Sequence, residues 1–177
     1  MRDIIDLLEA KKELELKKLP YARGALSPVL SSANIDFHYG KLAKGYVDRY
    51  NKGEGDKTFN EAGAFLHDIF FQQFRTPKNA NAPKGRILDI INLHHTSWVD
   101  FKKNFKEEAL KVQGSGWIYL SKSGQIKTIK NHAKRTDIAI LVDMWEHSYQ
   151  NDYHSDKGKY VDNLWRIMNW DAINKRL

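Results

Sequence analysis

The apolar positions change rhythm partway along the chain, and that change divides it. Ile4, Ile5, Leu7 and Leu8, then Leu14 and Leu16, keep roughly helical spacing until Leu19-Pro20 interrupts them. This predicts a charged helical extension over residues 1–18. Pro28 breaks the chain again before Ser31-Ser32, side chains suited to cap a helix of about 20 residues. On that helix Ile35, His38, Leu42, Tyr46 and Tyr50 recur every three or four positions and are expected on one face. A second helix is predicted over residues 60–74, with Phe65, Ile69 and Phe70 apolar around His67. Residues 75–85, holding Pro77, Pro83 and two asparagines, read as a linker.

Past the linker the pattern shortens. Helices are predicted over 87–92 and 97–112, then a strand over 116–120, a turn at Ser123-Gly124 and a returning strand over 125–130. The apolar run Ile138-Ala139-Ile140-Leu141-Val142 predicts a third, buried strand over 137–143, and helices resume from about Lys159. The fold class is α+β: an N-terminal helical hairpin and a C-terminal domain with a three-stranded antiparallel sheet flanked by helices. The expected units are 1–18, 19–85 and 86–177.

Composition narrows the chemistry. With 177 residues, 41% apolar and 12% aromatic, the chain can build a real core. It has no cysteine, which excludes disulfides, zinc-thiolate sites, iron–sulfur clusters and thiol catalysis. No run approaches the ~20 apolar residues of a membrane span, and Met1-Arg2-Asp3 does not open a signal peptide, so a cytoplasmic protein without membrane partners is expected. The net charge of +7 suits a nucleic acid or a small anion. The basic pairs are scattered (Lys11-Lys12, Lys17-Lys18, Lys102-Lys103, Lys134-Arg135), so nucleic acid is not the expected partner, and a solvated basic surface explains the charge equally well.

The most specific stretch is Asp143-Met144-Trp145-Glu146-His147, at the end of the third strand. A hard carboxylate and a borderline imidazole at one spot suit a first-row transition metal such as iron or manganese. A buried Asp–His pair can also be no more than a hydrogen bond.

Longer motifs decide between these. Leu19-Pro20-Tyr21, Ala25-Leu26-Ser27-Pro28, Phe37-His38-Tyr39-Gly40-Lys41, Gly114-Ser115-Gly116-Trp117, Asp143 through Tyr149, and Asn163-Leu164-Trp165 through Asn169-Trp170 come in one order. Together they resemble the iron/manganese superoxide dismutase family. The resemblance implies one iron or manganese ion per subunit, with iron or either metal favoured, held by His38, His67, Asp143 and His147. It implies conversion of two superoxide anions to dioxygen and hydrogen peroxide, in a homodimer or a dimer of dimers. It gives Tyr46 the place of the gateway tyrosine, Tyr149 that of a tyrosine offered to the partner subunit, and Glu146 a bridge to the partner subunit's His147. Trp117, Trp145 and Phe71 become the apolar wall.

The chain departs from the family at several places. Where the family usually carries two adjacent histidines one turn after the first ligand, this chain has Leu42 and Ala43. Where a glutamine often holds the metal-bound solvent, it has Gly63 on the second helix and His132 after the hairpin. His94-His95 and His154 match no family ligand. Two other classes stay open: a binding protein on the same fold with weak or no activity, and a different non-haem iron enzyme, which would commonly use two histidines and one carboxylate.

Overall fold

A computed structural model describes residues 13–177. The helix expected over residues 1–18 is not formed in its described part: residues 13–19 run without helix, and the remainder lies outside the described residues. Residues 13–19 lie instead as a strap across the helical hairpin. Asn51 holds both backbone groups of Leu14, at 2.8 and 2.9 Å, and Gln72 donates to the carbonyl of Lys18 at 2.9 Å. Side chains that bind peptide groups this way replace the bonds a helix would have made internally.

The hairpin consists of α1 (Ser32–Phe37), a π-helical turn (His38–Ala43), α2 (Lys44–Lys52) and α3 (Lys57–Gln72). Ser31 caps the first helix by accepting from the Asn34 amide, Gly53 ends α2 in the left-handed region at φ 74°, and Asp56 caps α3. The π turn corrects the expected face. A π turn spaces its bonded residues by five, so burial passes from His38 to Ala43 and on to Tyr46 and Val47, while Leu42 is only half-buried.

Residues 75–85 carry no helix or strand, yet they are not loose. Arg75 and Lys78 donate to the carbonyls of Ile167 and Arg166 at 2.8 and 2.9 Å, and Asn81 donates to those of Trp165 and Met168. The second half follows as α4 (Arg86–Asn92), α5 (Trp98–Leu110), β1 (Gly116–Ser121), β2 (Ile126–Lys130) and β3 (Ile138–Asp143). It closes with α6 (Glu146–Tyr153), α7 (Lys157–Leu164), a short 3-10 turn and α8 (Trp170–Arg176).

The three strands form one antiparallel sheet in the order β2-β1-β3, with Trp117 paired to Ile129 on one side and Asp143 on the other. Every residue of β1 and β3 is buried, which explains their unbroken apolar sequences. Gln73, just past α3, reaches the outer edge of β3: its amide donates to the Leu141 carbonyl and its oxygen accepts from the Leu141 N–H. The hairpin is thereby fastened to the sheet by hydrogen bonds that leave the strand edge satisfied. No described helix is long and apolar enough to cross a membrane.

Candidate metal centre

Four elements bring one polar side chain each to the seam between the halves. His38 comes from the start of the π turn, His67 from the middle of α3, Asp143 from the last position of β3, and His147 from the first turn of α6. Their candidate ligand atoms all lie within 4.8 Å of one another. The Asp143 Oδ2 is 3.1 Å from His38 Nε2, 3.3 Å from His147 Nε2 and 3.8 Å from His67 Nε2. His38 and His67 are 1% exposed and Asp143 is fully buried.

None of these three Nε2 atoms, nor the Oδ2, has a hydrogen-bond partner. Buried polar atoms left so cost about 1–3 kcal/mol each, and four of them converging on one point require something in the middle. Three imidazole nitrogens and one carboxylate oxygen are the donor set of a first-row transition ion such as iron or manganese.

Two of the remaining ligand atoms, His67 Nδ1 and Asp143 Oδ1, are held by the chain, whereas His38 Nδ1 is buried without a partner. His67 Nδ1 lies 2.7 Å from the Gly63 carbonyl, so this nitrogen carries the proton and Nε2 presents its lone pair inward. The Trp145 amide donates to Asp143 Oδ1 at 2.8 Å, which leaves Oδ2 for the centre, and the Tyr160 hydroxyl donates to the Asp143 carbonyl. Burial pulls the His38 and His67 imidazoles below their ordinary range, keeping both neutral. For Asp143 burial acts in the opposite direction, but contacts with His147 and His38 outweigh it and hold the carboxyl well below the usual carboxylate range.

A ring of aromatic groups closes around these atoms. His132 is 8% exposed and stacks on Trp145, with centroids 4.6 Å apart. Trp117 Nε1 donates to His132 Nδ1 at 3.1 Å, so the imidazole proton resides on Nε2, which is buried and has no partner. Burial lowers the His132 pKa to about 4. The Tyr46 ring stands 4.8 Å from that of His132 and 5.2 Å from that of His67. Its phenol is pushed up by burial and by the Asp143 charge, and drawn down by Arg49. Gly63 lies directly against this ring: a Cβ there would come within 2.8 Å of Tyr46 Cγ.

Neutral buried histidines make the metal-free protein acid-sensitive. His132 binds its proton near pH 4 when folded and near 6.5 when unfolded. Between these values the unfolded chain holds more protons, so stability is lost as pH falls. Lowering pH from 7 to 5 should cost on the order of 2 kcal/mol from His132 alone, with His38 and His67 acting in the same direction. Urea midpoints of the metal-free protein at the two pH values measure it; equal midpoints would refute the assignment of neutral buried imidazoles.

The other expected residues fall into place unevenly. Glu146 is exposed beside His147 at the start of α6. Tyr149 is turned inward, 5% exposed and packed 5.7 Å from Tyr160. Phe71 packs on His38 at 4.9 Å, as a wall residue should. His94 is exposed with Nε2 against the Ser123 carbonyl, His95 lies beside Asn104, and His154 sits at the end of α6, all outside the cluster. Phe59, which the sequence pattern does not single out, packs 4.7 Å from His132. Its place three residues after the Asp56 cap, on the first turn of α3, is the one signal that points to it.

Residues 13–57 match the family model for the alpha-hairpin domain of iron/manganese superoxide dismutases, and residues 83–176 match that for the C-terminal domain. His67 and Gly63 lie between the two matched segments, so the fold itself is what brings His67 to the other three. A protein of Pyrobaculum aerophilum named superoxide dismutase (Fe) is 33% identical over 94% of this chain and 92% of its own length. One of Bacteroides fragilis with the same name is 35% identical over 92% and 98%. One of Porphyromonas gingivalis named superoxide dismutase (Mn/Fe) is 33% identical over 92% and 98%.

Proposed function

We propose that His38, His67, Asp143 and His147 hold the redox metal of this chain, which belongs to the iron/manganese superoxide dismutase family and is a superoxide dismutase. The observation that carries the ligand assignment is the convergence of four buried, unpartnered ligand atoms. The reaction takes two superoxide anions and two protons to one dioxygen and one hydrogen peroxide. An iron or manganese ion, when bound, supplies the one-electron exchange by alternating between its 2+ and 3+ states.

The chain's own residues supply position and protons. Asp143, anchored through Oδ1, and His67, with its lone pair turned inward, set the ligand geometry. The Nε2–H of His132, left free by the Trp117 bond to Nδ1, would be available to donate to a solvent molecule beside the bound ion. Tyr46 is the proton donor for peroxide formation. Tyr46→Phe should keep its metal and lose turnover at high superoxide by about tenfold or more. Pulse-radiolysis kinetics test this, and a rate equal to wild type would remove the role.

Gly63 has no room for a donor side chain beside Tyr46, so of these two positions His132 is the one that could donate toward the centre. An iron enzyme, or one active with either metal, is the reading favoured by that histidine and by the names of the three relatives. Stripping the protein and reloading it separately with iron and manganese tests it: activity with manganese alone would overturn it. A homodimer joined through Glu146 and His147 belongs to the same proposal, supported by the exposure of Glu146 next to a ligand. Sedimentation at micromolar concentration that finds only monomer would remove that part.

A further inference from the structure

Arg49 follows Tyr46 by three positions on α2, so the two side chains leave the same side of the helix. Its guanidinium carbon lies 4.9 Å from the Tyr46 ring centroid, well within the range at which a cation is attracted to an aromatic face. The group is tethered from below. Arg49 Nε donates to Asn60 Oδ1 at 3.1 Å, and Asn60, only 3% exposed, donates in turn to the Glu54 carbonyl at 2.9 Å. Gly45 leaves the space this pose needs, since a Cβ there would come 3.0 Å from Arg49 Nη1. An exposed arginine ordinarily has many rotamers; this one is drawn into a single pose by a stack and a buried amide.

His67, His132 and Phe59 bound the Tyr46 ring on other sides, and Arg49 adds a cationic contact to its face. One side of the ring meets Gly63, which has no side chain to grip it, and Leu42, one turn back, cannot hydrogen-bond. We propose that Arg49 is the residue that orients Tyr46: stacked on the ring and fastened to α3 through Asn60, it keeps the phenol seated against Gly63 with its hydroxyl presented to the metal centre. Arg49 is a positioning residue, and the inference rests on the reading of Tyr46 as proton donor given above.

The test is a double-variant cycle in metal-loaded protein at ~0.15 M salt, where exposed charges are screened from steering the substrate. Arg49→Gln should lower kcat about 2- to 5-fold while kcat/KM and metal content stay at wild-type values. In the Tyr46→Phe background the same substitution should change kcat no further. An Arg49→Gln protein with wild-type kcat, or one with the same fractional loss in both backgrounds, overturns the inference. A Tyr46→Phe protein with wild-type kcat is a different result, because it removes the reading of Tyr46 itself. A slow Tyr46→Phe beside an unaffected Arg49→Gln removes the role of Arg49 alone.

Discussion

Asp143→Ala should yield a folded protein without metal and without dismutase activity. The carboxylate is the shared neighbour of all three imidazoles, with its Oδ2 3.1, 3.8 and 3.3 Å from the Nε2 atoms of His38, His67 and His147. Removing it leaves three neutral nitrogens and takes away the only negative charge among the ligands. Changes in residues that merely support a ligand typically cost 10- to 100-fold in affinity, so loss of the ligand itself should cost more than about 100-fold. The metal-free protein should lose stability too, because the contacts with His147 and His38 that hold the carboxyl well below its usual range go with it, as does the Trp145 N–H bond. Metal analysis after dialysis gives the answer, and full occupancy in the variant would end the ligand assignment.

Gly63→Ala should slow turnover as much as Tyr46→Phe while leaving metal in place. An added Cβ would lie 2.8 to 3.1 Å from three carbons of the Tyr46 ring, closer than non-bonded carbons approach. The ring has nowhere easy to go, being bounded also by His67, His132 and Phe59. The ring must therefore shift and carry its hydroxyl with it, at an overpacking cost of about 1–3 kcal/mol. The bond from His67 Nδ1 runs to the Gly63 carbonyl, which alanine retains, so the ligand stays oriented. Wild-type turnover at saturating superoxide in this variant would show that the position of Tyr46 is not critical.

Much of this architecture is legible in the amino-acid sequence. The strands are readable because β1 and β3 are buried along their whole length, and their shortness and aromatic or β-branched residues separate them from a buried helix. The four ligands are readable through the motifs around them. Other features leave no pattern. The π turn at His38–Ala43 has no sequence signature, so helical spacing points to a face through Leu42 instead of Ala43. Helix α6 does not stand out, because Glu146–Tyr153 is mostly polar and buries just Ser148, Tyr149 and Tyr153. Leu14 and Leu16 stand two positions apart, the alternation of extended chain, and serve a strap in which Asn51 supplies the bonds that spacing alone cannot foresee. The inward turn of Tyr149 and the stack of Arg49 on Tyr46 depend on neighbours distant in sequence or on rotamers, which spacing does not encode.

Gln73 has a dynamic consequence. Its oxygen accepts from the Leu141 N–H, a bond spanning 68 residues that joins the helical hairpin to the edge of the sheet. That amide is open to solvent exchange only when the two halves part, so its protection against deuterium reads out their separation. The ligands are divided the same way, His38 and His67 on the hairpin side, Asp143 and His147 on the sheet side. Bound metal must then slow exchange at this single amide by the free energy with which it clasps the halves, and the occupancy of the centre becomes measurable some distance from it, in a hydrogen that never touches the ion.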